Sequence, residues 1–198
     1  MPRWEASLGW TGFTTDLRFA DGREPTMRQH AVSASITRLY RGVWGVQLSG
    51  GVSLGGELET ADERWRIGPG WLGTIRGSRQ WRGSAGLVPA VSTSVALSVS
   101  RARIHDDEDD ATLLATDLRL GVVAAWNVGP AWSPYLSVRV FGGPVLWLED
   151  DAVETGTDRH HYNAALGSRL HLPGGTSLFI DASLLGEQSL GAGLALAW

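Results

Sequence analysis

Three clusters in this 198-residue chain have residue types and spacings that can do chemistry. Gly68-Pro69-Gly70-Trp71-Leu72-Gly73 has the G-x-G-x-x-G spacing that lets a strand-to-helix turn cradle a pyrophosphate. That chemistry needs a helix opening directly after the glycines. No helical period follows, so these glycines are expected to thin a strand wall or permit a bulge. His105-Asp106-Asp107-Glu108-Asp109-Asp110 is the densest charge run, and carboxylates are the hard ligands calcium prefers. It lacks the spaced ligands and turn glycine of an EF-hand, so a solvated loop is expected, with no bound metal and no cofactor. His160 and His161 follow a stretch carrying Asp150, Asp151, Glu154 and Asp158. A histidine beside a carboxylate can act as a general base, and it can equally be a polar rim residue.

The elements that must position these residues show in the hydrophobic period. Alternation of apolar and small or polar residues recurs along the chain. Leu190, Ala192, Leu194, Leu196 and Trp198 alternate with Ser189, Gly191, Gly193, Ala195 and Ala197. Leu118, Leu120, Val122, Ala124, Trp126 and Val128 stand opposite Asp117, Arg119, Gly121 and Asn127. A period of two with one apolar face predicts strands. Similar stretches lie at 44–58, 89–99, 135–148, 161–172 and 177–184, with weaker ones at 3–15, 30–40 and 64–79, giving ten strands. Eight strands, with an irregular stretch around 64–90, is the competing count. Pro69, Pro89 and Pro144 fall within these stretches and are expected at bulges or strand ends. Arg38 and Arg101 take the apolar parity near strand ends, where they can snorkel.

The non-apolar face is Gly and Ser with isolated charges, a composition suited to a confined interior rather than an open wet surface. By parity Arg66, Arg76, Arg119, Arg139 and Arg169 point inward, with Glu57, Asp117, Glu149 and Asp181. Such charges either line a solute path or pair with one another and plug the interior. Pairing is expected in both cases, because an unpaired charge in a confined space is costly. A mostly occluded lumen is the favoured reading.

The connections alternate in kind. One set is short and nearly free of acids: Arg41-Gly42, residues 82–86, residues 129–133 and Pro173-Gly174-Gly175. The other, at 16–28, 57–64, 105–110, 149–159 and 186–188, holds all of the 21 acids except Glu5, Asp117 and Asp181. Alternate connections fall on opposite ends of an up-and-down barrel, and transmembrane barrels have short turns at one end and longer loops at the other. Trp4, Tyr40, Trp44, Trp81, Trp126, Trp132, Tyr135 and Trp198 lie at the short-turn ends, as an interfacial aromatic girdle would.

Composition removes other classes. There is no cysteine, so neither a disulfide framework nor a thiolate metal site forms. The net charge of −4 excludes nucleic-acid binding driven by a basic surface. With 43% hydrophobic residues the chain is not of disordered composition. No apolar run approaches the roughly 18 residues of a membrane-crossing helix. The opening Met1-Pro2-Arg3-Trp4-Glu5 is not a secretory signal, and the reading favours a mature sequence with its leader removed.

These features together resemble the small outer-membrane β-barrel proteins of Gram-negative bacteria. The resemblance covers residues 1–198 as one domain. It rests on the repeated hairpins, on Trp126-Asn127-Val128-Gly129 running into Trp132-Ser133-Pro134-Tyr135, and on the final strand Leu194-Ala195-Leu196-Ala197-Trp198. It implies a closed antiparallel up-and-down transmembrane barrel in the outer membrane, in contact with lipid and lipopolysaccharide. It also implies a last strand similar to the signal read by the barrel-assembly machinery. The expected role is a non-enzymatic, porin-like envelope or surface scaffold with a largely occluded lumen. A narrow pore is the alternative. A rim hydrolase is a second alternative, since ten-stranded omptin proteases place acids and a His–Asp pair at the outer rim. His161-Tyr162-Asn163-Ala164 is also faintly similar to a motif of barrel lipid A deacylases, without the serine expected beside the asparagine.

Overall fold

A computed structural model describes residues 3–41, 43–60, 64–81, 88–105, 110–149 and 152–198. Its strands are β1 (Arg3–Phe19), β2 (Thr26–Tyr40), β3 (Trp44–Glu59), β4 (Arg64–Trp81), β5 (Ala90–His105), β6 (Asp110–Ala125), β7 (Trp132–Gly142), β8 (Val145–Glu149), β9 (Ala152–Asp158), β10 (Tyr162–His171), β11 (Thr176–Gly186) and β12 (Gln188–Ala197). No described helix is long and apolar enough to cross a membrane, a fact with no bearing on a barrel.

Ten of these strands pair in cyclic antiparallel order, β1 through β7 and then β10, β11 and β12. The ring is closed by β1 against β12, from Glu5 opposite Ala197 to Thr14 opposite Gln188. Closure gives every strand of the ring a partner on both sides, the condition for crossing lipid with strands. Leu48, Leu97, Leu120, Val140, Leu166 and Ile180 all point outward and are 48–62% exposed. Their strand neighbours Gln47, Ala96, Gly121, Arg139, Gly167 and Asp181 point inward. A soluble monomer does not expose so large an apolar surface, and an outward apolar band is what lipid requires.

Above this ring the architecture changes. The sequence predicts one strand over 135–148 and a loop over 149–159. The chain instead breaks at Gly143-Pro144 and forms the β8–β9 hairpin. Proline has no N–H for the ladder, and the break falls where β7 would need one. The upper part of β6 takes β8 in place of β7, through Thr112 to Ala115. The end of β1 takes β9, through Leu17 to Phe19. Strands β7, β10, β11 and β12 stop below the hairpin. Strands β1–β6, β8 and β9 therefore form a narrower, eight-stranded ring at the long-loop end. The barrel itself has ten strands, and residues 64–81, irregular in the competing eight-strand count, form the continuous strand β4.

Pro69 lies in the register shift between Ile67 and Gly70, Pro89 just ahead of β5, and Pro144 in the β7–β8 break. The Gly68–Gly73 stretch is interior to β4 and bulged, with no helix after it.

Leu120 and Gly121 test the parity directly. Leu120 faces outward, six residues from Trp126 and so near the middle of the apolar band. Gly121 faces inward, where a Cβ would lie 3.1 Å from Ser94 Oγ and 3.5 Å from the Arg139 stem. Leu120→Arg is expected to cost about 2–4 kcal/mol on folding into lipid. Gly121→Arg should act by crowding Arg139 instead. Spin labels at the two positions should differ sharply in lipid accessibility; equal accessibility would contradict the assignment.

Candidate functional site

The interior is layered. At its long-loop end the eight-stranded ring is filled with apolar side chains. Leu17, Phe19, Leu58, Trp65, Ile67, Ala102, Ile104, Ala111, Leu113, Val145 and Trp147 form one buried cluster, with Met27 and Ala115 packed against it. An eight-stranded barrel is just wide enough for side chains to fill. Trp147 is its centre: Phe19 meets it edge-on at 6.0 Å and Trp65 at 5.5 Å between ring centroids. The Arg23 guanidinium stacks over Trp147 at 5.0 Å and over Phe19 at 5.6 Å, and is paired with Asp21 and Glu154. Among the described residues the long-loop end thus holds an apolar plug with an ion-paired cap.

Below the plug lies a charged tier. Arg119 pairs with Asp117, stacks on Phe141 at 5.2 Å and lies 3.8 Å from Glu187. Asp117 Oδ1 also accepts the Gly142 N–H at 3.1 Å. Arg76 and Arg139 share this space, and Arg76 feels the like charges of both Arg139 and Arg119. Asn163 and Ser137 are each 1% exposed, and their side-chain polar atoms are without partners in this layer. Nearer the short turns Arg169 forks onto Glu5 at 3.2 and 3.3 Å, reaching past β11 and β12 to β1. Between these tiers Tyr135 and Asp181 flank Gly167 in one cross-strand row.

Two aromatic rings need glycine beneath them. Tyr135 lies so close over Gly167 that a Cβ there would fall 2.1 Å from its ring, and Phe179 covers Gly193 in the same way at 2.5 Å.

Arg76, Asp117, Arg119, Arg139, Arg169 and Asp181 therefore face the lumen, Glu149 keeps the inward parity of Val145 and Trp147 in the upper ring, and Glu57 and Arg66 face outward. Glu57 and Arg66 are a cross-strand pair on the outer face, because Leu58 and Trp65 turn inward beside them. The register shifts near Gly55 and between Ile67 and Gly70 reverse the parity that holds lower in the same strands. Glu57 pairs there with Arg64. Glu149 lies beyond the plug and accepts the Trp147 indole N–H at 3.1 Å, away from the lumen arginines. Of the girdle, Trp4, Tyr40, Trp44, Trp81, Trp126, Trp132 and Trp198 lie at the short-turn end, with Trp44, Trp81, Trp132 and Trp198 42–60% exposed. Tyr135 leaves the girdle, because it shares the inward parity of Ser137 and Arg139.

Glu5, Glu187, Asp158 and Asn163 join the interior without having been expected there. Glu5 has the parity of Ser7 and Gly9, which was the available signal. Glu187 lies in a turn and Asp158 at the end of the upper hairpin, outside the stretches whose parity was followed.

At the rim, His160 Nε2 lies 3.8 Å from Asp16 Oδ2, and Thr26 donates to Asp16 Oδ1 at 2.7 Å. Among the described residues no group of three or more His, Asp or Glu is placed to hold a metal. Asp106 to Asp109, with Asp150 and Asp151, lie outside the described residues.

Two carboxyls at the outer edge of the lumen respond to their surroundings. Burial raises Glu187 above its ordinary 4.5, against the pull of Arg119. Burial likewise raises Asp158, against the hydroxyl that Thr15 donates at 3.0 Å. A carboxyl raised on folding binds its proton more tightly in the native state. Its contribution is therefore full below the unfolded value and declines as pH rises through the raised one. Urea midpoints are expected to fall as pH climbs from about 4.5 toward neutrality, and Glu187→Gln should flatten that slope. An opposite slope in this window would contradict the burial of Glu187.

No family model matches the sequence, and no curated protein matches it. Solved structures do. The outer membrane protease OmpT of Escherichia coli superimposes with a TM-score of 0.65 at 8% identity, over 100% of this chain and 96% of that one. The translocator domain of the autotransporter NalP of Neisseria meningitidis gives 0.52 at 13% identity, over 100% and 88%. An outer membrane channel of Pseudomonas putida F1 gives 0.51 at 10% identity, over 99% and 95%. The fold is that of outer-membrane β-barrels. Neighbours so different in role, at such identities, carry the architecture and no activity.

Proposed function

We propose that this protein is an integral barrel of the bacterial outer membrane that acts as a non-enzymatic envelope scaffold, with its lumen closed. The apolar plug across the eight-stranded ring carries this reading. A solute path needs a wet constriction, and Trp147, Leu58 and Ile104 at 4%, 0% and 1% exposure leave none at that level. What the protein offers outward is then the wall of the upper ring rather than a pore mouth.

That wall supports contact with lipopolysaccharide. Arg66, Arg101 and Arg103 stand exposed on β4 and β5, Arg101 level with the outward Trp71 and the other two above it. Guanidinium groups at this height suit phosphates, which they bind bidentately. The apolar, alternating strand β12, followed by Trp198, is the segment we propose the assembly machinery reads. Proteoliposomes carrying the protein are expected to retain a trapped small solute and to bind lipopolysaccharide. Arg66, Arg101 and Arg103 replaced together by Gln should lose that binding without solute release. Solute release from the wild type would overturn the scaffold reading.

One observation favours a second reading. The His160–Asp16 pair at the rim has the composition of a general-base dyad, and a protease is among the structural neighbours. Peptide or lipopolysaccharide cleavage that disappears in His160→Ala would establish a rim hydrolase.

A further inference from the structure

We infer that the lipid-facing wall holds an anionic glycerophospholipid of the leaflet at the short-turn end, its phosphate between Arg38 and Arg79 and one acyl chain over Gly77. This rests on the membrane reading above and adds a ligand site to it.

A groove of about 580 Å³ crosses the outside of the barrel from β3 to β7. Its floor is the cross-strand row Val46, Gly77, Val95, Leu120. Three members of that row are exposed apolar side chains, and the fourth is a glycine. A Cβ on Gly77 would meet nothing within 4 Å. The position is therefore empty without any steric demand for glycine, and between Val46 and Val95 it leaves a slot of acyl-chain character in the wall.

Arg79 lines the short-turn end of the groove, and Arg38 stands just outside it, across from the lining residue Val46. Arg38 precedes Val46 in the same row, one strand over, and stacks on Trp4 at 5.1 Å and Tyr40 at 4.9 Å. Arg79 stands opposite Trp44 and stacks on Trp44 at 5.1 Å and Trp81 at 5.0 Å. Among the described residues neither has a carboxylate partner, and Arg38 Nε is buried with no hydrogen-bond acceptor. Aromatic belts of this kind lie at headgroup depth. Two guanidiniums fixed there by ring stacking, with no anion of their own, complement a phosphodiester. The net negative charge of phosphatidylglycerol matches them better than a zwitterionic headgroup does.

The test uses the full chain, folded and stripped of lipid in detergent. Phosphatidylglycerol and phosphatidylcholine with identical palmitoyl-oleoyl chains are titrated in turn, and bound lipid is counted by native mass spectrometry. One phosphatidylglycerol is expected, held at least tenfold more tightly than phosphatidylcholine. Arg38→Gln with Arg79→Gln should erase that preference, and Gly77→Leu should remove the bound lipid while trypsin resistance of the barrel is kept. Equal retention of the two lipids overturns the site. So does retention unchanged by Gly77→Leu, or a dimer that Gly77→Leu dissociates, which would make the groove a seat for a second copy. A chain that never inserts into vesicles fails the membrane reading before any lipid is titrated. A chain that inserts and shows no preference fails only the lipid site.

Discussion

Trp147→Ala is expected to lower the stability of the barrel in lipid vesicles by about 3–5 kcal/mol, the range for removing a large aromatic from a packed core. Trp147 is 4% exposed and lies at the centre of the plug, touched by Phe19, Trp65 and the Arg23 guanidinium. Its removal leaves a cavity that β8 cannot close. The hairpin it belongs to is tied to β6 over only four residues and to β1 over three. Val153→Ala is the control, since Val153 is 63% exposed on β9; it should stay within about 0.5 kcal/mol of the wild type. The urea midpoint is the readout. A Trp147→Ala shift under about 1 kcal/mol would mean that the upper ring is not a packed core. Adding Trp65→Ala should go further and produce measurable ion leakage, because the pair forms the aromatic centre of the seal.

The second large effect concerns Asp117. Its carboxylate pairs with Arg119 and accepts the Gly142 N–H, while Arg76 and Arg139 crowd the same tier. Asp117→Ala leaves three arginines facing only Glu187 and the more distant Asp158, and breaking a buried pair from one side costs about 3–5 kcal/mol. Asp117 retains only 13% side-chain exposure, so water can offset little of this. Asp117→Asn keeps the acceptor for Gly142 and should cost less than Asp117→Ala. In a wet, conducting lumen the charge cluster would be screened, and the loss would stay under about 1 kcal/mol. The size of the midpoint shift therefore separates a plugged barrel from a pore.

The membrane-level ring was legible because alternation survives there without interruption. Asp117, Arg119, Arg139 and Arg169 lie on strands whose parity runs unbroken from the short turns, and all four face inward. Legibility failed where a strand changes phase. Glu57 and Arg66 were placed in the lumen by counting through Gly55 and Pro69, and one extra residue at each bulge moves every later side chain to the other face. Gly55, at φ +115°, was the local sign of such a change. The plug was invisible for a related reason. Leu17 and Phe19 lie in a stretch read as loop because of its acids, and Trp147 was assigned to a polar face on a strand that in fact ends at Gly142. Tyr135 was misplaced because its position at a strand end outweighed its parity with Ser137 and Arg139. The Arg169–Glu5 fork joins residues 164 apart in sequence and depends on ring closure, which no local pattern encodes. The rim pair His160–Asp16 likewise comes together only through the pairing of β9 with the end of β1.

The central claim is that the lumen is closed at its long-loop end by side chains. Single-channel recording in a planar bilayer tests it most directly. The wild-type protein, inserted and trypsin-resistant, should give no stepwise current at any moderate voltage. The Trp65→Ala, Trp147→Ala double variant should give discrete openings. Regular open-channel steps from the wild type, unchanged in the double variant, would contradict the account and make this barrel a channel.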